Sequence, residues 1–398
     1  MGDEQEIVTF SISDRELERR WTEVRKRMQA EKIDFLVMQN DNEWLGGYVK
    51  WFTDVPARNA SPHTVIFPVD EEMTTITEGG KPPGDMGPPA WSLRGVKRRL
   101  TAPFLRSAAY TNSYDAELAV GILKSAKNAT IGFLGKGTLS AAFYGHLVQN
   151  LPGARLLDAS DLIDPIKAVK SDEEIGLIRK TAALQDQAVE YARKAIRPGR
   201  RDYEIVADIV RFVIDSGSEE QLVLAGSGPL GRPVPVRKRH FQNRMVQNGD
   251  QFSLLIEVNG PGGFYTEIGR IFFVGEKVPS ELSDASEEAR EAQEATLRLI
   301  RPGADPAEIW HANNDLLVRK GFLPETRLYA HGQGYDLVER PLIRDDEPMK
   351  LEANMNLTVH PAVGTDNLWV WVCDNYLVTE SGVSECLHKT AKMILTTL

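Results

Sequence analysis

Five residues of metal-ligating or proton-transferring type stand inside apolar, strand-like stretches of the second half of the chain. They are Glu257 in Leu-Leu-Ile-Glu-Val, Glu267 in Tyr-Thr-Glu-Ile, His331 in Tyr-Ala-His-Gly, His360 in Thr-Val-His-Pro and Cys373 in Trp-Val-Cys-Asp. Any one of them alone reads as an ordinary residue of a half-exposed strand. Five together are costly to bury without a use, and strand alternation can turn them toward one concave face. Imidazole, carboxylate and thiolate ligands suit a mononuclear zinc or iron site. His331 with a glutamate alone suits proton transfer. Arg340 and Arg58 offer planar forks that match a substrate carboxylate, and Trp369 and Trp371 alternate on the strand that carries Cys373. Gly226-Ser-Gly-Pro-Leu-Gly231 spells a phosphate-loop pattern, but Arg-Pro-Val-Pro follows, so no helix opens there.

The elements that must position these groups are legible as a duplication. Ile196-Arg-Pro-Gly199 recurs as Ile300-Arg-Pro-Gly303, an offset of 104 residues, with Glu204 and Glu308 at matching steps and Gly217 and Gly321 each 21 residues past their isoleucine. Self-similarity at a fixed offset reveals architecture that local propensity does not. Each copy reads as two helices, a Gly-rich loop (Ala225–Gly228 or Ala330–Gly334) and two strands (Phe252–Val258 and Phe264–Val274, or Met355–Val359 and Trp369–Val378). Two αα/ββ halves around a pseudo-twofold axis follow, with helices on one side of an antiparallel sheet. Glu257 then matches His360, and Glu267 matches Cys373. The preceding residues alternate helix-like and strand-like stretches: a cap at Ser13 with Glu16, a strand Phe35–Met38, and a pair of strands around Val69–Glu72. The predicted fold class is α+β, with a smaller α/β domain at 1–163 and the duplicated domain at 164–398.

The composition narrows the function classes. A net charge of -10 repels nucleic acid, and the densest basic cluster, Arg232–Arg239, is short. No apolar run is long enough to cross a membrane, the first residues are acidic rather than signal-like, and two cysteines suit a reducing compartment. A cytoplasmic protein acting on a small molecule is expected.

Several segments in order resemble the creatinase, aminopeptidase P and methionine aminopeptidase family: Ile166-Lys-Ala-Val-Lys-Ser-Asp-Glu-Glu174, Ile196-Arg-Pro-Gly199, Asn248-Gly-Asp250, Tyr265-Thr-Glu-Ile-Gly-Arg270, Ala330-His-Gly-Gln-Gly334, Glu339-Arg-Pro341 and Asp374-x-x-Leu-Val-Thr379. The resemblance implies the duplicated pita-bread fold, a creatinase-type N-terminal domain and a homodimer. Family peptidases hold two divalent ions with two Asp, one His and two Glu. Here those positions hold Glu257, Glu267, His331, His360 and Cys373, and the histidine of the His-Glu-x-Pro motif is Val338, although Glu339 and Pro341 match. Four carboxylates balance two divalent ions; two Glu with a thiol supply two or three negative charges, which favours one ion (zinc, iron or manganese) or none. The resemblance thus implies a hydrolase cleaving a C–N bond of a small, carboxylate-bearing, non-peptide substrate, with His331, Glu267, Glu339 and His240 as catalytic candidates and Arg340 and Arg58 toward the substrate. A lyase resembling dimethylsulfoniopropionate lyase, an Xaa-Pro peptidase and a non-catalytic binding protein are the alternatives.

Overall fold

The computed structural model describes residues 11–79, 88–103, 106–126, 128–382 and 385–397. The chain separates into two compact units, Met1–Lys167 and Ala168–Leu398.

The first unit is built on a six-stranded sheet of β1 (Phe35–Asn40), β2 (His63–Pro68), β3 (Met73–Glu78), β4 (Val96–Ala102), β5 (Thr130–Phe133) and β6 (Arg155–Asp158), in the order β4-β3-β2-β1-β5-β6. β1, β2 and β3 pair antiparallel, and β4, β5 and β6 join in parallel. Helix α1 (Asp14–Glu31) starts where the Ser13 side chain accepts the Glu16 amide, and it buries Leu17, Val24 and Met28. Helices α2 (Gly47–Thr53), α3 (Tyr114–Leu123) and α4 (Ala141–Asn150) follow, and Ala116, Ala119, Phe143 and Leu147 of α3 and α4 close over Val37, Ile66, Ile76 and Phe133. Helix α5 (Ser160–Ala168) runs through Pro165, so the helix bridges the position where a domain break is expected from the sequence.

In the second unit, α6 (Asp172–Ala195) opens with a reciprocal capping box between Ser171 and Glu174. It is followed by α7 (Asp202–Asp215), β7 (Gln221–Pro229), β8 (Asp250–Asn259) and β9 (Tyr265–Phe273). The second copy runs α8 (Ser280–Leu299), α9 (Pro306–Arg319), β10 (Ala330–Gly332), β11 (Glu339–Leu342), β12 (Asn356–Val359), β13 (Ala362–Thr365), β14 (Leu368–Trp371), β15 (Asp374–Leu377), β16 (Glu385–Cys386) and β17 (Leu395–Thr396). The duplication is visible in the backbone. Gly199 and Gly303 turn at φ 84° and 82° after the first helix of each copy, and Gly217 and Gly321 at φ 95° and 82° after the second. Only glycine takes that left-handed turn at no cost.

Three sequence expectations are revised. The Gly-rich segments are strands: Ala225–Gly228 lies in β7 and Ala330–Gly332 is β10. Their glycines admit a close backbone, because a Cβ on Gly226 would sit 2.3 Å from the Pro235 carbonyl oxygen and one on Gly332 2.6 Å from that of Arg340. The stretch Trp369–Val378 breaks at Val372-Cys373, since β14 pairs with β13 and β15 with β12. Finally, the sheet is covered on both faces. Phe252, Leu254, Ile256 and Val258 of β8 pack on α6 and α7, while Leu255, with Ile271 and Phe273 of β9, packs on β13, β14 and α8 of the other copy. Every residue of β8 and β9 is therefore buried.

Candidate metal centre

The alternation that sends Ile256 and Val258 to the helices sends Glu257 the other way, into the seam between the copies. Glu257 stands directly opposite Glu267 in the β8–β9 register, so the two carboxyls share that face. In the second copy Val359 pairs with Asp374, and one step beyond lie His360 and Cys373, the matching pair of the duplication. A backbone pair between Gly269 and Cys373 ties the copies together, and His331 enters from β10, opposite Thr358.

Glu267, His331 and His360 converge: their ligating atoms all lie within 4.8 Å of one another, and all three residues are buried. The Nδ1 of His331 donates to the Gly332 carbonyl at 3.0 Å, which leaves Nε2 as a lone pair toward Glu267, 3.8 Å from Oε2. Neither ring nitrogen of His360 has a hydrogen-bond partner among the described residues. Its ring meets His331 at a centroid distance of 5.4 Å and Trp371 at 6.1 Å. A buried polar group without a partner calls for an explanation, and a cation held between the two imidazoles and the carboxylate supplies one.

Burial sets the protonation states. It pushes the His331 pKa down to about 4 and holds His360 well below the ordinary value, so both rings are neutral, the form that ligates. Burial raises Glu267 to about 7, against the Cys373 thiol and Arg327, which favour its charged form. Glu257 is pushed well up by burial and then by the Glu267 charge, so it keeps its proton at neutral pH. Cys373 is likewise held far above the usual thiol range, first by burial. It stays a thiol, near Thr358 Oγ1 at 3.3 Å and the Glu267 carbonyl at 3.5 Å, so with Glu257 also protonated Glu267 is the one member of the five that can bring negative charge to an ion, less than either sequence count.

Sequence reasoning missed an amide network that fixes the two glutamates. Gln333 Nε2 donates to Glu257 Oε1 at 3.0 Å, and Asn375 Nδ2 donates to Gln333 Oε1 at 2.9 Å and to Asn356 Oδ1 at 3.0 Å. Asn375 Oδ1 in turn accepts the Glu267 amide at 2.6 Å. Gln333 was visible between two glycines and Asn375 directly after Asp374, but an amide carries no pattern that separates a network from a surface residue.

The other candidates lie outside the convergent trio. Glu339 pairs with Lys170 in a buried ion pair and lodges against Gly334, where a Cβ would meet its carboxylate at 2.6 Å. Its negative charge favours the protonated form of His331. The Arg340 fork is taken by Glu347, at 2.6 Å from Nη2 and 3.1 Å from Nε. His240 is on an exposed 3-10 turn with its ring against Phe241. Arg58 belongs to the first unit, where it bonds Ser61 Oγ at 2.8 Å.

Residues 176–380 match the model of metallopeptidase family M24. A probable dipeptidase PepE of Mycobacterium bovis is 27% identical over 242 residues, 58% of this chain and 62% of that relative's length. An Xaa-Pro dipeptidase of Pyrococcus furiosus is 25% identical over 281 residues, 69% of this chain and 77% of the relative. Among solved structures, dipeptidase PepE from Mycobacterium ulcerans superposes with a TM-score of 0.76 at 18% identity, covering 98% of this chain and all (100%) of that one. The X-Pro aminopeptidase from Thermotoga maritima gives 0.77 at 17% identity, covering 94% and 99%. Likeness at that identity speaks for the fold, the pita-bread architecture expected above.

Proposed function

The chain belongs to metallopeptidase family M24, and from that premise we propose that it hydrolyses a C–N bond in a small, carboxylate-bearing, non-peptide substrate at a site centred on His331 that holds one divalent ion at most. The observation that carries this reading is the convergence of two neutral imidazoles and one carboxylate within 4.8 Å. Two histidines and a glutamate are a known ligand set for a mononuclear catalytic ion. A zinc, iron or manganese ion held by His331, His360 and Glu267 would supply Lewis acidity toward the scissile group.

The chain's own groups divide the proton work. Glu257 holds a proton at neutral pH, beside a partner that shares it, and donates it to the departing nitrogen. Glu267, with a pKa near neutrality, accepts a proton from the attacking water when no ion claims it. Gln333 and Asn375 keep the two carboxyl-bearing strands in place. Glu339, bound to Lys170, acts through its field on His331 as a positioning residue. The homodimer and the cytoplasmic location expected from the sequence belong to the same proposal.

A second reading rests on the relatives' names: cleavage of a dipeptide, Xaa-Pro in particular. Elemental analysis of protein purified without added metal, combined with a substrate panel, separates the two. The proposal expects no more than one ion per chain, lost in His331→Ala and His360→Ala, and turnover of N-substituted amino acids that are not peptides. Two tightly held ions with Xaa-Pro cleavage would establish the second reading. Absence of solvent oxygen-18 from the product would mark an eliminating enzyme, and full turnover by His331→Ala would remove the site from catalysis.

A further inference from the structure

The first unit holds a cavity of about 490 Å³ on the side of its sheet formed by β2, β3 and β4. The register explains its lining. His63 pairs with Thr77, Thr75 with Arg99 and Thr77 with Thr101, so these side chains stand side by side on one face of three adjacent strands. Arg58 reaches the same space from the turn before β2, and Val55 and Leu93 supply an apolar wall.

Among the described residues no carboxylate pairs with Arg58 or Arg99, and Arg58 bonds only Ser61. Glu78 also borders the cavity, but alternation turns it to the opposite face, where Arg106 Nε is 3.7 Å from its carboxylate. The Nε2 of His63 is buried with no hydrogen-bond partner. Burial and then the two arginines push that ring down to about 4, so it is neutral and both guanidinium groups lie within electrostatic reach of it. Arg58 is exposed and Arg99 half-buried, and with no carboxylate partner among the described residues their two positive charges face one cavity in a chain of net charge -10.

We propose that this cavity is a second ligand site, one that takes a small organic phosphate. A phosphate dianion matches two guanidinium charges, whereas a single carboxylate leaves one uncompensated. Its several oxygens can meet Arg58, Arg99, the His63 ring and the threonine hydroxyls from different sides. The volume is in the range of small-molecule sites and exceeds what a free phosphate fills, and the Val55 and Leu93 wall suits an attached organic group. Nothing in it involves Glu267, His331 or His360.

Titration calorimetry on the full-length, metal-stripped chain tests the assignment with glycerol 3-phosphate, inorganic phosphate and succinate as probes. Expected are saturable, one-to-one binding of glycerol 3-phosphate and weaker binding of inorganic phosphate. Arg58→Met and Arg99→Met should each lower affinity about tenfold or more, and His331→Ala should leave it unchanged. Arg99→Lys, which keeps the charge and loses the fork, should show a smaller loss and stands in if Arg99→Met does not fold. No saturable phosphate binding, binding indifferent to all three arginine changes, or tighter binding of succinate would each overturn the proposal. Inorganic phosphate binding as tightly as the ester would overturn its organic part.

Discussion

Replacing Gly269 by alanine probes the point where the two copies meet. Gly269 and Cys373 exchange backbone hydrogen bonds, N to O at 3.1 Å one way and 3.3 Å the other. A Cβ at Gly269 would lie 2.6 Å from Trp371 Cζ2 and 2.9 Å from Cys373 Cβ, both in buried residues. The indole can swing, but Cys373 Cβ is fixed to the backbone, so the pair must open by roughly 0.5–1 Å to reach ordinary contact. That stretches both hydrogen bonds, at about 1 kcal/mol each, and adds an overpacking cost of about 1–3 kcal/mol. A loss of about 3–5 kcal/mol in urea unfolding is expected. Because Glu267 and His360 stand on opposite sides of that join, zinc affinity measured by chelator competition should also fall, by about tenfold or more. A variant within 1 kcal/mol of the parent, with unchanged zinc affinity, would refute the claim that this contact sets the distance across the seam.

His388 is buried with Nδ1 accepting the Asn375 amide at 3.2 Å and Nε2 donating to Gln185 at 2.9 Å, which fixes the neutral ring. Its folded pKa lies at about 4, lowered chiefly by burial, so its contribution is intact above the unfolded value near 6.5 and is lost as pH falls toward 4. Urea midpoints taken between pH 7 and pH 4 should show a steeper decline for the parent than for His388→Gln, with up to about 3 kcal/mol at stake; equal slopes would contradict it. Lys170→Met should cost about 3–5 kcal/mol in the same assay, because it removes the cation of a buried ion pair and leaves the Glu339 charge uncompensated by Lys170, and the double change with Glu339→Gln should recover most of that. Glu257→Gln should spare metal binding while lowering kcat, since Glu257 lies outside the convergent trio; loss of the ion in that variant would make it a ligand.

Much of the second unit was legible because a duplication writes the same constraint twice. The paired Ile-Arg-Pro-Gly segments announced two helix ends, and both glycines adopt the left-handed turn. The five seam residues could be named from their apolar surroundings, and three of them converge. What could not be read was the reach of backbone approach. Gly226 and Gly332 resemble loop residues in sequence, yet they are strand positions crowded by a neighbouring carbonyl. Nor could the pattern tell which arginine fork was free: Arg340 finds Glu347 seven residues on, and that short hop is invisible to motif reasoning.

The parallel pairing of β17 with β9, Leu395 beside Phe272 and Thr396 beside Phe273, bears on how the protein is made. The first copy's sheet gains its last strand from residues that leave the ribosome some 120 positions later. Until then one edge of β9, and the apolar side of β8 and β9 destined for the second copy, stay uncovered in the nascent chain. Slow synthesis or early termination past residue 273 should therefore leave a sticky intermediate, and holding chaperones should engage this chain during that window.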